Sequence, residues 1–263
     1  MLEIETRDGV ALAYEDLGTG SARPMLLVHG FGCDHTFMAR QQSSFSVDRR
    51  TVAVDLRGHG RSDAPDHGYT PAIFAEDLAW LCQRIGLDAP IVVGHSMGGT
   101  VALELGARHS DKVTAVMMID SLVFPAPATV EALRPLAASL AGPDCEAALA
   151  ALGAVMARPG EGPEASLRWA ASLAATPRHV LASSFESHTV DYDATAAATA
   201  CRVPVAYIGA ESPLGDVGRF KALRPNLVVG QTVGSGHFSP LLVPEQINEM
   251  IRDFERDFAS RLG

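Results

Sequence analysis

No stretch of this chain is apolar over the roughly 20 residues that a bilayer-crossing helix needs, so a membrane span is not expected. Cysteine is scarce and scattered. Cys33, Cys82, Cys145 and Cys201 form no C-x-x-C pair and no Cys/His spacing that suits zinc, so free thiols in a reducing compartment are expected and a metal centre is not. Positive charge is in deficit, with 21 Lys and Arg against 31 Asp and Glu and a formal net charge of −10. That balance argues against nucleic acid or an anionic membrane as partner, because phosphate binding depends on clustered Lys and Arg. The opening stretch, Met1–Gly9, alternates and is acidic, unlike a secretory leader, so the expected location is cytoplasmic. No repeat or low-complexity tail is evident. No cofactor is expected, and the expected partner is a small-molecule substrate; the oligomeric state is left open.

What is present is an ordinary globular composition: 263 residues, 47% hydrophobic and 20% charged, enough for one large α/β domain or two small ones. Two alternating segments, Leu2–Thr6 and Val10–Leu17, flank Asp8-Gly9, a hairpin signal, and predict an antiparallel edge pair. The pattern then changes to continuous apolar runs at Met25–Val28, Thr51–Val54, Ile91–Val93 and Val113–Ile119, the mark of strands buried on both faces of a parallel sheet. Helix-length segments lie between them. The clearest is Pro71–Ile85, with Thr70 placed to cap, Pro71 at the first helical position and Ile73, Phe74, Leu78, Leu81, Cys82 and Ile85 on one stripe.

After Ile119 this rhythm stops for about 80 residues. The stretch is rich in Ala and Leu, broken by Pro125, Pro127, Pro135, Gly142-Pro143, Pro159-Gly160, Gly162-Pro163 and Pro177, and contains no predicted strand. The α/β pattern resumes at Val203–Ile208 and Leu227–Val229, and Pro244–Leu262 closes the chain as a helix with Ile247, Ile251, Phe254 and Phe258 on one stripe. The expected architecture is therefore a doubly wound, mostly parallel α/β sheet, residues 1–123 and 203–263, with a helical cap inserted at 124–202. In such a sheet ligands sit beyond the carboxyl ends of the strands.

One turn there stands out. Gly94-His95-Ser96-Met97-Gly98 joins a predicted strand to a predicted helix, and a G-x-S-x-G turn of that kind holds a serine hydroxyl above the sheet edge. Ser96 is the candidate nucleophile. A serine hydroxyl needs a base, commonly a histidine held by a carboxylate. Nine histidines compete. His237, in Gly234-Ser235-Gly236-His237, follows the last strand and can reach across the strand ends; His29 and His59 suit structural turns, and His95 should point away from the serine hydroxyl. Acyl transfer also needs donors for the oxyanion. The amide of Met97 supplies one, and Phe31 in His29-Gly30-Phe31-Gly32, after the strand Met25–Val28, supplies the second. Met156, Trp169, Leu173 and Phe185 are candidate cap linings of the substrate space, and Cys33 a small wall residue.

His29-Gly30-Phe31-Gly32, Asp55-Leu56-Arg57-Gly58-His59-Gly60-Arg61-Ser62 with Asp63, Gly94-His95-Ser96-Met97-Gly98-Gly99 and Gly236-His237-Phe238, in that order, resemble the α/β-hydrolase fold superfamily over nearly the whole chain outside the cap. The resemblance implies a capped serine hydrolase, esterase- or lactonase-like. It implies an acid too, and here the chain departs from the usual pattern. Most members carry an Asp after the strand equivalent to Val203–Ile208, where this chain has Gly209-Ala210-Glu211-Ser212-Pro213. A minority carry it one strand earlier, where Asp120 stands. Asp120 is the expected acid, with Glu211 and Asp216 as the other candidates. That minority includes cofactor-free ring-cleaving dioxygenases, in which the His/acid pair deprotonates the substrate, so this activity is the alternative function; a non-catalytic ligand sensor is the third. Dehalogenases and epoxide hydrolases of this fold use an Asp nucleophile, which Ser96 argues against.

Overall fold

The computed structural model describes residues 2–158 and 161–262; the Pro159-Gly160 turn signal and Met1 lie outside the described residues. The chain begins with β1 (Leu2–Arg7) and β2 (Val10–Val28), then a short 3-10 turn (His35–Met38), α1 (Ala39–Phe45), β3 (Arg49–Val54) and α2 (Pro71–Arg84). Next come β4 (Ile91–His95), α3 (Met97–Arg108) and β5 (Ala115–Ile119). A helical segment follows: α4 (Pro127–Ala141), α5 (Cys145–Met156), α6 (Glu164–Ala175), α7 (Arg178–Phe185) continuing into a π turn (Glu186–Val190), and α8 (Thr195–Ala200). The chain closes with β6 (Val205–Gly209), α9 (Val217–Leu223), β7 (Val228–Gln231), α10 (Ser239–Leu242) and α11 (Pro244–Leu262).

β2, β4, β5, β6 and β7 pair side by side in parallel, and β1 pairs antiparallel to β2. The apolar runs are buried on both faces because alternate residues feed two separate cores. Val92, Val116, Met118 and Val205 face one layer, with Phe74, Leu78, Val101 and Leu105 of α2 and α3. Ile91, Val93, Met117 and Ile208 face the other, with Phe45 of α1 and Ile247, Ile251 and Phe254 of α11. Burying each such side chain contributes roughly 1.5–3 kcal/mol, so the sheet is the rigid base for whatever its strand ends carry. Helix α2 starts as the sequence predicts: the Thr70 hydroxyl accepts from the Ile73 amide at 3.3 Å, and Pro71 opens the helix.

Two expectations change. The edge strand and the first buried strand are one continuous β2. Its first limb runs beside β3 with Tyr14 opposite Val54 and Leu17 opposite Thr51, and its last limb flanks the same strand with Met25 opposite Thr51 and Val28 opposite Val54. The connection passes so close to the Ser46–Arg49 backbone that a Cβ on Gly20 would sit 1.8 Å from the Asp48 carbonyl. The absence of a side chain on Gly20 permits the approach. Pro135 in turn lies inside α4, whose Ala137 and Leu140 are buried, so tertiary packing outweighs the missing donor.

The helices between β5 and β6 contain no strand among the described residues. They reach the loops that leave β2 and β3: Trp169 bonds to the Phe31 carbonyl, and Val180 occupies the space beside Gly58. No helix among the described residues is long and apolar enough to cross a membrane.

Candidate active site

Between β4 and α3 the chain reverses at Ser96, whose backbone sits at φ 54° and ψ −120°. A non-glycine residue held there stores on the order of 1–3 kcal/mol of strain, tolerated only where the surroundings over-determine it. Those surroundings explain the flanking residues. A Cβ on Gly94 would lie 2.1 Å from the Gly98 carbonyl oxygen, and one on Gly98 would lie 2.4 Å from the carbonyl oxygens of Val28 and His29. The turn is pinned to the sheet by the Ser96 amide, which donates to the Ile119 carbonyl at 2.8 Å. Met97, the first residue of α3, is fully buried.

His237 and Asp120 come together from opposite ends of the sequence. The His237 Nδ1–H donates to Asp120 Oδ2 at 2.8 Å, with both side chains buried. This leaves Nε2 as the free acceptor of the ring. Asp120 directly follows β5 in a left-handed backbone conformation, φ 44°, and its amide donates to the Ile208 carbonyl at 2.7 Å. Its other oxygen, Oδ1, accepts from the amides of Ala210 at 3.1 Å and Leu214 at 3.2 Å. Burial pushes the carboxyl pKa up, but the hydrogen bond and charge of His237 and these two amides overcome it and hold the carboxyl below its ordinary value. The other two acidic candidates are engaged elsewhere: Glu211 pairs with Arg158 at 2.9 Å, and Asp216 caps α9 by accepting from the Arg219 amide at 2.9 Å. The loop that lacks the usual acid therefore supplies amide donors to the one before it.

Ser96 and His237 line one small chamber of about 20 Å³, walled also by Gly30, Phe31, Cys33, His95, Met156, Trp169 and Phe238. Gly30 lets the loop after β2 come close, since a Cβ there would stand 3.1 Å from the Ser96 Cβ. The Phe31 carbonyl is turned away to accept from Trp169 Nε1 at 2.9 Å. Burial pushes the Cys33 thiol pKa far up, so the cysteine in this wall stays a neutral thiol. Met156 and Trp169 reach the chamber; Leu173 lies behind Trp169 in a neighbouring groove, and Phe185 packs edge-on against the Phe31 ring at 5.4 Å between centroids.

The same arrangement of strands and helices is found in a thermophilic esterase from Thermogutta terrifontis, with a TM-score of 0.84 at 24% identity over 98% of this chain and 99% of that one. An enol-lactonase from Burkholderia xenovorans gives 0.85 at 22% identity over 97% and 100%. The chain is an α/β-hydrolase-fold protein. Residues 23–142 also match the alpha/beta hydrolase fold family. An AB hydrolase superfamily protein of Bacillus subtilis is 34% identical over 124 residues, 47% of this chain and 46% of that protein. This hydrolase-fold chain thus spans less than half the length of the first curated relatives it matches.

Three features of this site are not legible in the sequence. The partner of His95 is one: its ring lies 4.7 Å from that of His237, centroid to centroid, and its Nε2–H donates to the His237 carbonyl at 2.8 Å. Burial, then the neighbouring His237 charge, lowers its pKa to about 3, so it braces the His237 loop as a neutral donor. His188, in the π turn that follows α7, is buried and stacked on Phe31 at 6.3 Å between ring centroids. Its π turn leaves no trace in composition. The third is the pair of amides on Asp120 Oδ1, which only the fold brings into reach.

Proposed function

We propose that this protein is a serine hydrolase that cleaves a small, largely apolar carboxylic ester or lactone through an acyl-enzyme. The observation that carries the reading is the 2.8 Å contact between His237 Nδ1 and Asp120 Oδ2, in a chamber shared by His237 and a strained Ser96. In this mechanism the Ser96 hydroxyl attacks the carbonyl carbon and its proton passes to His237 Nε2. Asp120 stabilises the imidazolium, and the amides of Phe31 and Met97 hold the oxyanion. The tetrahedral adduct collapses as His237 returns the proton to the leaving alcohol oxygen. Water then attacks the acyl-Ser96 carbonyl, again giving its proton to His237, and the acid departs as the serine regains a proton. Helices within residues 124–202 act as a cap over the core formed by residues 1–123 and 203–263. An esterase and an enol-lactonase among the structural neighbours agree with ester or lactone cleavage.

Ser96→Ala tests this directly. Turnover of p-nitrophenyl acetate and covalent labelling by a fluorophosphonate are expected with the unaltered protein and are expected to disappear in the variant. Retention of turnover in Ser96→Ala together with its loss in His237→Ala overturns the acyl-enzyme and points to proton abstraction by the His/Asp pair, as in the cofactor-free dioxygenases. Absence of both labelling and turnover points to a ligand sensor.

A further inference from the structure

The Ser96 chamber, at about 20 Å³, holds little more than one water molecule, which needs roughly 10–15 Å³ measured the same way. An acyl group of any length must therefore extend beyond it. Two larger spaces share walls with the chamber. One, of about 480 Å³, meets it at His237 and Met156 and has the polar side chains of Arg158, Ser212 and Ser235 on its surface. The other, of about 650 Å³, lies between α5 and α6 and shares Trp169 with the chamber. Its walls are mostly apolar, with Leu149, Ala154, Ala170, Leu173 and Leu181 among them.

The chemistry assigns the sides. His237 protonates the leaving oxygen, so the alcohol portion lies toward His237 and the polar space, and the acyl portion lies toward Trp169. We propose that the groove between α5 and α6 binds an unbranched apolar acyl chain of the ester, and that Trp169 is the wall that sets how much of the chain is admitted. This assignment rests on the acyl-enzyme reading above. Trp169 is built for such a place. Its indole is buried, its Nε1 is held by the Phe31 carbonyl at 2.9 Å, and its ring packs 5.7 Å from Phe238. Gly32 and Gly153 give it room: a Cβ on Gly32 would stand 3.4 Å from Trp169 Nε1, and one on Gly153 would stand 3.5 Å from its Cζ3. The groove falls within the range of about 300–1,000 Å³ usual for small-ligand sites, and each methylene buried there is worth about fourfold in kcat/KM, from ~0.8 kcal/mol per CH₂.

The test compares p-nitrophenyl acetate with p-nitrophenyl decanoate in the unaltered protein and in Ala154→Phe and Ala170→Phe, which place rings in the groove from opposite helices at exposed positions. The decanoate-to-acetate ratio of kcat/KM is expected to fall at least tenfold in each; a change under twofold in both overturns the proposal. A second readout is independent of turnover. Trp80 and Trp169 are the two tryptophans, so in Trp80→Phe the emission reports Trp169 alone. Free decanoic acid is expected to shift that emission, and Trp80→Phe combined with Ala170→Phe is expected to abolish the shift. An emission response without ester turnover supports the groove and removes the hydrolase reading. Turnover with neither chain-length dependence nor an emission response keeps the hydrolase reading and removes the groove.

Discussion

Asp120 accepts one hydrogen bond from His237 and two from backbone amides, so both of its oxygens are held by the fold. Replacing it by Asn keeps the shape but inverts one donor and one acceptor, and the His237 tautomer with it. On the acyl-enzyme reading, Asp120→Asn lowers kcat by roughly 10³–10⁴-fold while leaving the thermal midpoint within a few degrees. Glu211→Gln, which breaks only the exposed pair with Arg158, changes kcat by less than about threefold, since such pairs contribute ~0–1 kcal/mol. Steady-state kinetics on both variants check the assignment. The strained turn at Ser96 was legible in the sequence through its two flanking glycines, although only Gly94 answers to a contact within the turn, the Gly98 carbonyl; Gly98 is demanded by the Val28 and His29 carbonyls at the end of β2. The acid was not fixed in the same way. Asp120 and Glu211 both follow strands, and only the packing of β5 against β6 shows which carboxylate meets the ring. The bonds that hold His95 and Trp169 were hidden for the same reason, since each joins its ring to a carbonyl distant in sequence.

The element that binds sheet to site is the β4–α3 turn. Because the obstacles around Gly98 are backbone carbonyls rather than flexible side-chain ends, they cannot step aside. Gly98→Ala is expected to destabilise the fold by at least about 2 kcal/mol, in the range typical of overpacking and backbone strain, read as a lowered urea midpoint with an unchanged slope. Gly86→Ala is a contrasting control, with nothing within 4 Å of its Cβ and only its φ of +61° to oppose the change. At this scale the sequence was a good guide wherever periodicity alone decides, as in the two-sided apolar strands and the stripe of α11. It was a poor guide where glycine has two meanings: in the connection of β2 it allows a close approach without ending the strand.

The molecule as a whole carries several histidines that folding keeps neutral. Burial, then the charge of His29, lowers the His59 pKa to about 3; the same cause leads for His95, at about 3, and for His188, at about 4. Folded His59 stays neutral down to about pH 3 while the unfolded side chain takes up a proton near 6.5. Between those values the unfolded state binds more protons, so stability falls as pH falls. From pH 7 to pH 5 the loss is roughly 2 kcal/mol for one such histidine. His59→Gln is expected to make the decline of the urea midpoint over that interval shallower; an equal decline in both proteins excludes His59 as its source. The Asp120 carboxyl, held below its ordinary value, contributes in the same direction at lower pH, where its protonation removes the stabilisation gained from His237. The amide bonds from Ser96 to Ile119 and from Asp120 to Ile208 extend this connection between site and fold. They continue the central ladder one residue past the ends of β4 and β5, so these two amides have no route to solvent except melting of the sheet. Deuterium should enter them at the rate of global unfolding, and heat should leave this part of the site assembled until the whole protein opens.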